Sequence, residues 1–154
     1  MEMPKPTADH KKLEKLAGIW QGTETLYPSQ WDQKGGKADG TTRSRIALTG
    51  FAIISDYEQM RGSQRTYEGH GVYTWDARAS QVVLHWYDVM GQGCEEFRGT
   101  WKGDVLPLAS KTPMGHARIT YDLSKPGVMG SLMEMSQDGA KWTKVFDGSY
   151  KRKD

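Results

Sequence analysis

Gly18-Ile19-Trp20-Gln21-Gly22 marks the point at which the chain changes its period. Before it, residues 9–17 place Leu13, Leu16 and Ala17 at helical spacing beside Lys11, Lys12, Glu14 and Lys15, which reads as one short amphipathic helix. Thr7 or Asp9 caps its start, and Gly18 ends it. Beyond that point apolar and polar residues alternate with a period of two. Segments near 18–27, 41–48, 52–61, 67–75, 80–88, 94–101, 104–109, 115–122, 129–136 and 141–150 are enriched in Val, Ile, Thr, Tyr and Trp, which favour a pleated, half-buried surface.

Turn residues separate these segments: Thr49-Gly50, Arg61-Gly62-Ser63, Met90-Gly91-Gln92-Gly93, Lys102-Gly103-Asp104, Lys125-Pro126-Gly127 and Asp138-Gly139. Short links make sequential strands antiparallel neighbours, and no second helix is available for parallel crossovers. The pattern therefore predicts an all-β fold, a single antiparallel up-and-down β-barrel of eight to ten strands with a short N-terminal helix. Closure removes the exposed sheet edges. Residues 1–8 are expected to be a flexible N-terminus and 9–154 the barrel domain. Residues 28–40 carry no periodic signal and read as a loop, with Trp31 as a candidate lid. Strand number decides capacity: eight strands close to a radius of roughly 8 Å, which side chains nearly fill, and ten to roughly 10 Å. Gly69, Gly71 and Gly99 lighten the wall and favour a cavity in the wider case.

At 154 residues the chain holds one domain with a substantial core. Lys plus Arg total 21 against 19 for Asp plus Glu, and this near balance gives no electrostatic reason to expect a nucleic-acid partner. Cys94 is the single cysteine, so an intrachain disulfide and a cysteine-cluster zinc site are excluded, and no metal site is expected. Glu95 and Glu96 beside it disfavour a thiolate nucleophile. The opening Met1-Glu2-Met3-Pro4-Lys5-Pro6 lacks the apolar core of a signal peptide, and no stretch approaches the ~20 apolar residues that cross a membrane. A cytoplasmic protein with no membrane partner is the expectation.

The helix, Gly18-Ile19-Trp20, the meander and the closing Tyr150-Lys151-Arg152 together resemble the calycin superfamily, which includes lipocalins and fatty-acid-binding proteins. The resemblance implies that Trp20 plugs the barrel floor beneath a basic side chain from the last strand, Arg152 first and Lys151 second. Guanidinium over indole is a cation–π contact of roughly 0.5–2 kcal/mol. More closely, residues 10–20, Gly69-His70-Gly71-Val72-Tyr73-Thr74-Trp75-Asp76 and the ending from Asp138-Gly139 to Arg152 resemble a bacterial lipocalin-like family catalogued as a domain of unknown function. That family brings no settled activity. Gly18-Ile19-Trp20-Gln21-Gly22 with Tyr27-Pro28 is more distantly similar to nitrobindin-type haem barrels, which implies haem as a possible cofactor. The chain departs from that pattern at Glu24, and its last histidine is His116, so no histidine lies in the final two strand segments.

Alternation sorts the side chains into two faces without saying which points inward. Tyr67, Gly69, Gly71, Tyr73 and Trp75 oppose Glu68, His70, Val72 and Thr74; Val82, Leu84 and Trp86 oppose Val83, His85 and Tyr87. With the polar set inward, the ligand-binding candidates are Tyr57, His70, His85, Tyr87, Arg98, Arg118 and Glu134, Arg118 supplying a bidentate anion contact. With that set outward, the aromatics and Met129, Met133 and Met135 fill the interior. No serine elbow, phosphate loop or paired-histidine helix names a reaction. The first functional expectation is a barrel holding a small hydrophobic or aromatic molecule, with no obligatory cofactor. The alternatives are a barrel-cavity isomerase, cyclase or lyase using His70, His85 or Glu134 as its one acid/base residue, and a haem-binding nitrobindin-like protein. Six Trp and seven Tyr exceed what one small core needs, which raises a homodimer through an exposed sheet face as a third possibility.

Overall fold

A computed structural model of the chain describes residues 1–30 and 32–153. Among these residues a short helix α1 (Ala8–Lys12) precedes ten strands: β1 (Gly18–Leu26), β2 (Gly36–Ala47), β3 (Ala52–Arg61), β4 (Gln64–Asp76), β5 (Gln81–Asp88), β6 (Glu95–Gly99), β7 (Val105–Thr112), β8 (Gly115–Asp122), β9 (Val128–Ser136) and β10 (Thr143–Arg152). Each strand pairs antiparallel with the next, and β10 returns to β1, so the sheet closes as an up-and-down barrel. Ten strands is the wider of the two expected sizes, and width is what leaves a lumen.

The strand rows explain how floor and mouth are connected. Trp20, Thr42, Tyr57, Gly69 and Asp88 are successive register partners across β1 to β5, yet Trp20 lies at the helix end and Asp88 at the other. The strands tilt, so one inward row climbs from floor to rim.

The helix is shorter than its apolar spacing implies. Thr7 is its N-cap, and the Thr7 backbone N–H donates to His10 Nδ1 at 3.0 Å. After Lys12 the chain tightens into a 3₁₀ turn over Leu13–Leu16. A 3₁₀ turn eclipses residues three apart, which aims Leu13 and Leu16 together into the barrel, where both are buried. Trp20 is buried beside them and donates from Nε1 to the Leu16 carbonyl at 3.0 Å, while the Arg152 guanidinium carbon lies 5.8 Å from the Trp20 ring centroid. Lys15 pairs with Asp104, and Lys12 Nζ sits 5.1 Å from the Trp101 ring centre, so charges hold the outer side of the turn. The floor is closed. Leu13, Leu16, Ile53, Leu84, Phe97, Leu106 and Leu108 form the main core just above it.

One boundary differs from the sequence pattern. β2 begins at Gly36, inside the stretch 28–40 that reads as a loop, and Gly36, Lys37 and Ala38 pair with Leu26, Thr25 and Glu24. The alternation is invisible there because the inward positions are Ala38 and Gly40, which have almost no side chain to alternate. The connection across the mouth thus shrinks to residues 27–35, and Trp31, the expected lid, lies outside the described residues. No helix among the described residues is long and apolar enough to cross a membrane.

Candidate functional site

Between the floor and the mouth the barrel encloses a cavity of about 410 Å³. Six of the seven tyrosines line it, Tyr27, Tyr57, Tyr67, Tyr73, Tyr121 and Tyr150, together with Trp86, Phe97, Phe146 and aliphatic side chains such as Leu16, Leu84 and Ile119. Most of the tyrosines are therefore taken up by the lumen, whereas Trp86 is the tryptophan among the described residues that lines it.

Two aromatic rings are laid flat against the wall by glycines. A Cβ on Gly69 would run into the benzo ring of Trp86, and one on Gly71 would meet the same ring at 2.9 Å, so the indole lies across both residues and shows its other face to the lumen. On the opposite wall a Cβ on Gly40 would meet the Tyr150 ring at 2.9 Å, and one on Gly148 would meet its Cζ at 2.7 Å. Gly69 and Gly71 do not leave empty space; they make a notch that Trp86 fills. Gly99 serves a different contact, because its Cβ would strike the Pro107 carbonyl of β7.

Beneath Tyr150 lies a buried carboxylate. Glu24 is 1% exposed and accepts from Tyr57 Oη at 2.8 and 2.7 Å, from Gln59 Nε2 at 3.0 Å, and from Tyr150 Oη. A Cβ on Gly40 would fall 2.5 Å from Glu24 Oε2, so the glycine makes the room this carboxylate occupies. Gln59 is anchored in turn by Thr66, which donates to Oε1 at 3.0 Å, and Ser131 donates to Tyr150 Oη at 3.2 Å. Burial, then the facing Glu24 charge, pushes both the Tyr57 and Tyr150 phenols far above their ordinary range, which keeps them donors.

A second cluster stands nearer the mouth. Asp88 Oδ2 accepts from Tyr67 Oη at 2.6 Å and from Trp86 Nε1 at 3.1 Å, and Asp88 Oδ1 accepts the Met90 backbone N–H at 3.0 Å. The Tyr57 ring lies 5.8 Å from Tyr67 and 6.4 Å from Trp86, so three rings meet at this corner. Glu95, the register partner of Trp86, also lines the cavity; burial and then the Asp88 charge push its carboxyl up, while Ser110 opposes them. At the rim Arg61 Nη2 bonds Asp32 Oδ2 at 2.6 Å, holding Asp32 against β3. Arg61 Nε is buried with no hydrogen-bond partner among the described residues.

A closed ten-stranded barrel with a helix-plugged floor and an indole under a terminal guanidinium is a lipocalin-like architecture. Over residues 5–152 it matches a family described as a protein of unknown function, DUF1579. The chain belongs to the DUF1579 family. Among solved structures it is similar to Rv2717c from M. tuberculosis, with TM-score 0.75 and 13% identity over 97% of this chain and 100% of that one. It is also similar to the S-type phycobiliprotein lyase CPES from Guillardia theta, with TM-score 0.66 and 10% identity over 96% and 93% of the two chains. At such identities the likeness is one of fold. No curated protein matches in sequence.

In this DUF1579 barrel the sequence-derived candidates divide. Tyr57 lines the lumen. His70, His85, Tyr87, Arg98, Arg118 and Glu134 stand on the outer wall instead, each alternating with an inward neighbour such as Gly69, Leu84, Phe97, Ile119 or Met133. They are paired there. His70 Nδ1 lies 2.7 Å from Asp56, His85 Nε2 3.4 Å from Glu96, Arg98 Nη1 2.9 Å from Asp76, and Arg118 Nη2 2.9 Å from Glu134. Arg118 also stacks 4.1 Å from the Trp142 ring centre, and Tyr87 is half exposed. The physical cause is the cost of burying charge: the large apolar rings of β4, β5, β6 and β8 take the inside, and the register then forces their neighbours out.

None of the four histidines lines the cavity, so the DUF1579 lumen offers no histidine to a haem iron. Among the described residues no group of three or more His, Cys, Asp or Glu side chains converges to hold a metal ion. The residues that sequence reading passed over are Glu24, Gln59, Arg61, Tyr67, Asp88 and Glu95. Their polarity reads as outward; for Glu24 alone, Gly40 and Gly148 beside it signal that something large turns in.

Proposed function

We propose that the barrel binds a small, largely aromatic or apolar molecule in its lumen. The observation that carries this reading is the cavity itself: about 410 Å³, closed below by Leu16 and open above at the Asp32–Arg61 rim, with aromatic walls and a few fixed polar groups. That volume lies within the range of about 300–1,000 Å³ typical of small-molecule pockets, which combine apolar walls with sparse polar anchors. The likeness to a phycobiliprotein lyase is consistent with a barrel of this shape handling small molecules.

An acid/base role for His70, His85 or Glu134 draws no support from this geometry, because a ligand in the lumen cannot touch them. The test is binding of an aromatic panel, read by calorimetry and native mass spectrometry. Ser55→Phe puts a ring into the lumen from a wall position and is expected to abolish binding, whereas Arg118→Ala on the outer wall leaves it intact. Binding that survives Ser55→Phe and disappears in Arg118→Ala would move the site outside the barrel.

A further inference from the structure

Resting on the lumen-binding reading, we propose that the ligand is an organic cation, an amine on an aromatic or apolar body, whose charged head sits at the Tyr57, Tyr67 and Trp86 corner with Glu95 and Asp88 as its counter-charges.

The charge balance of the wall favours a cation. Three carboxylates line the cavity, Asp32, Asp88 and Glu95, against one guanidinium, Arg61. Arg61 is already neutralised by Asp32 at the rim, 2.6 Å away. Behind the wall Glu24 adds a further carboxylate whose partners, Tyr57, Tyr150 and Gln59, are all neutral. Hydrogen bonds from neutral donors stabilise a carboxylate without cancelling its charge, so the lumen stays negative inside a chain whose formal charge is +2. An anionic ligand would have to seat against this field.

Trp86 presents a ring face suited to a cation. Its ring is held flat on Gly69 and Gly71, and the exposed face looks into the cavity at the corner shared with Tyr57 and Tyr67. The indole N–H is shared between the Tyr67 hydroxyl oxygen at 3.0 Å and Asp88 at 3.1 Å, and that hydroxyl donates to Asp88, which pulls positive charge toward the ring edges and leaves the faces electron-rich. Aromatic faces of this kind attract a desolvated cation by roughly 2 kcal/mol.

The two carboxylates differ in how far they are already satisfied. Asp88 already accepts from Tyr67, Trp86 and the Met90 backbone, whereas the half-buried Glu95 carboxyl makes no ion pair among the described residues and has the Ser110 hydroxyl beside it. Glu95 therefore has lone pairs to offer an ammonium. Asp88 contributes field and holds the rings. A purely hydrocarbon ligand would instead press apolar atoms against Glu95 and strip its water without replacement, which is costly.

The experiment is calorimetric titration of the protein with three matched probes, 4-phenylbutylamine, 4-phenylbutanol and 4-phenylbutyrate, at pH 7. The amine is expected to bind at least ten-fold tighter than the alcohol, and the carboxylate weakest. Glu95→Gln should cost the amine about ten-fold and leave the alcohol unchanged or better, with thermal melting confirming the fold. Trp86→Leu should weaken the amine more than the alcohol. Alcohol or carboxylate binding as tight as the amine overturns the cation proposal while leaving lumen binding in place. Amine binding unaffected by Glu95→Gln also overturns it. Failure of all three probes to bind at millimolar concentration removes the lumen reading itself, and this inference with it.

Discussion

The outer and inner faces of the barrel hold carboxylates in opposite ways. Outside, several charges have an opposite charge one or two strands over: Arg118 with Glu134, Arg65 with Glu58, Arg98 with Asp76. Inside, Glu24, Asp88 and Glu95 are held by tyrosine, tryptophan, glutamine and serine. Outer pairs are screened by water and nearly cancel, so they contribute little to stability and leave no field. Inner carboxylates are solvated by fixed dipoles of the wall, which stabilises them but exports their charge to the cavity. The two faces contain similar acidic residues; only the inner one is left wanting a cation.

The largest way to break this comparison is to remove the innermost carboxylate. Glu24→Ala leaves the donors of Tyr57, Tyr150 and Gln59 facing one another in a buried space, and each orphaned donor costs about 1–3 kcal/mol. Partial rearrangement limits the sum, so the expected loss is about 3 kcal/mol in urea denaturation, with an unchanged slope against urea. Glu24→Gln keeps one acceptor and should cost less than Glu24→Ala. If Glu24→Ala is no more damaging than an outer-wall truncation, the inner network is not structural and the contrast between faces fails.

Next in size are the glycines under Trp86. Gly71→Val drives a side chain into the indole and Leu84, overpacking worth about 1–3 kcal/mol, and displaces the ring face that the proposed cation meets. Amine affinity and the position of Trp86 emission should change together. An affinity that survives while the emission shifts would show that the ring face is not part of the binding site.

These same residues show what was legible in the sequence. The meander, the helix and the Trp20–Arg152 pairing are written in periodicity and in the resemblance, because strand alternation and the floor both depend on large side chains. The direction of the alternation is not written, because the inner face is mixed. Ser55, Tyr57 and Gln59 follow each other inward along β3, and no hydropathy count distinguishes them from a solvated strand edge. Glu24, between Thr23 and Thr25, reads as a surface residue. Its burial is decided by residues distant in sequence, Gly40 and Tyr150, whose proximity exists only after closure. The start of β2 is hidden for the same reason, since room for Glu24 requires small residues where a periodic signal would need large ones.

A smaller effect separates the faces by pH. Burial and Asp88 raise the Glu95 carboxyl in the folded state above its unfolded value, so the folded protein binds the extra proton and stability falls as pH rises through the carboxylate range. On the outer wall Arg98, then the Ala79 backbone, lowers Asp76, so that group contributes stability above its unfolded value that is lost as pH falls. Glu95→Gln should therefore raise the melting temperature at pH 7 and change it little at pH 3.5. Amine affinity in the unsubstituted protein should increase over the window in which Glu95 loses its proton. A flat affinity profile from pH 4 to 8 would detach Glu95 from the ligand.

The smallest expected effects lie on the outer wall, and they sharpen the comparison because they are small. Arg118 combines a hydrogen-bonded pair with Glu134 and a stack on Trp142, the best-supported arrangement of the outer face. Even so, water reaches the partly exposed guanidinium, and solvent screening keeps such an outer-wall pair to about 1 kcal/mol. Arg118→Ala is expected to destabilise by about that amount, and His70→Ala by less, since its Asp56 partner is two-thirds exposed. Added salt should erase much of the Arg118 effect and little of the Glu24 effect, because screening acts where ions can approach. The same salt titration weighs on the ligand site: a cation seated at Glu95 within the lumen loses only modest affinity to salt, whereas one attracted to outer-wall carboxylates loses most of it. Equal salt sensitivity for amine binding and for the Arg118 pair would place both on the surface.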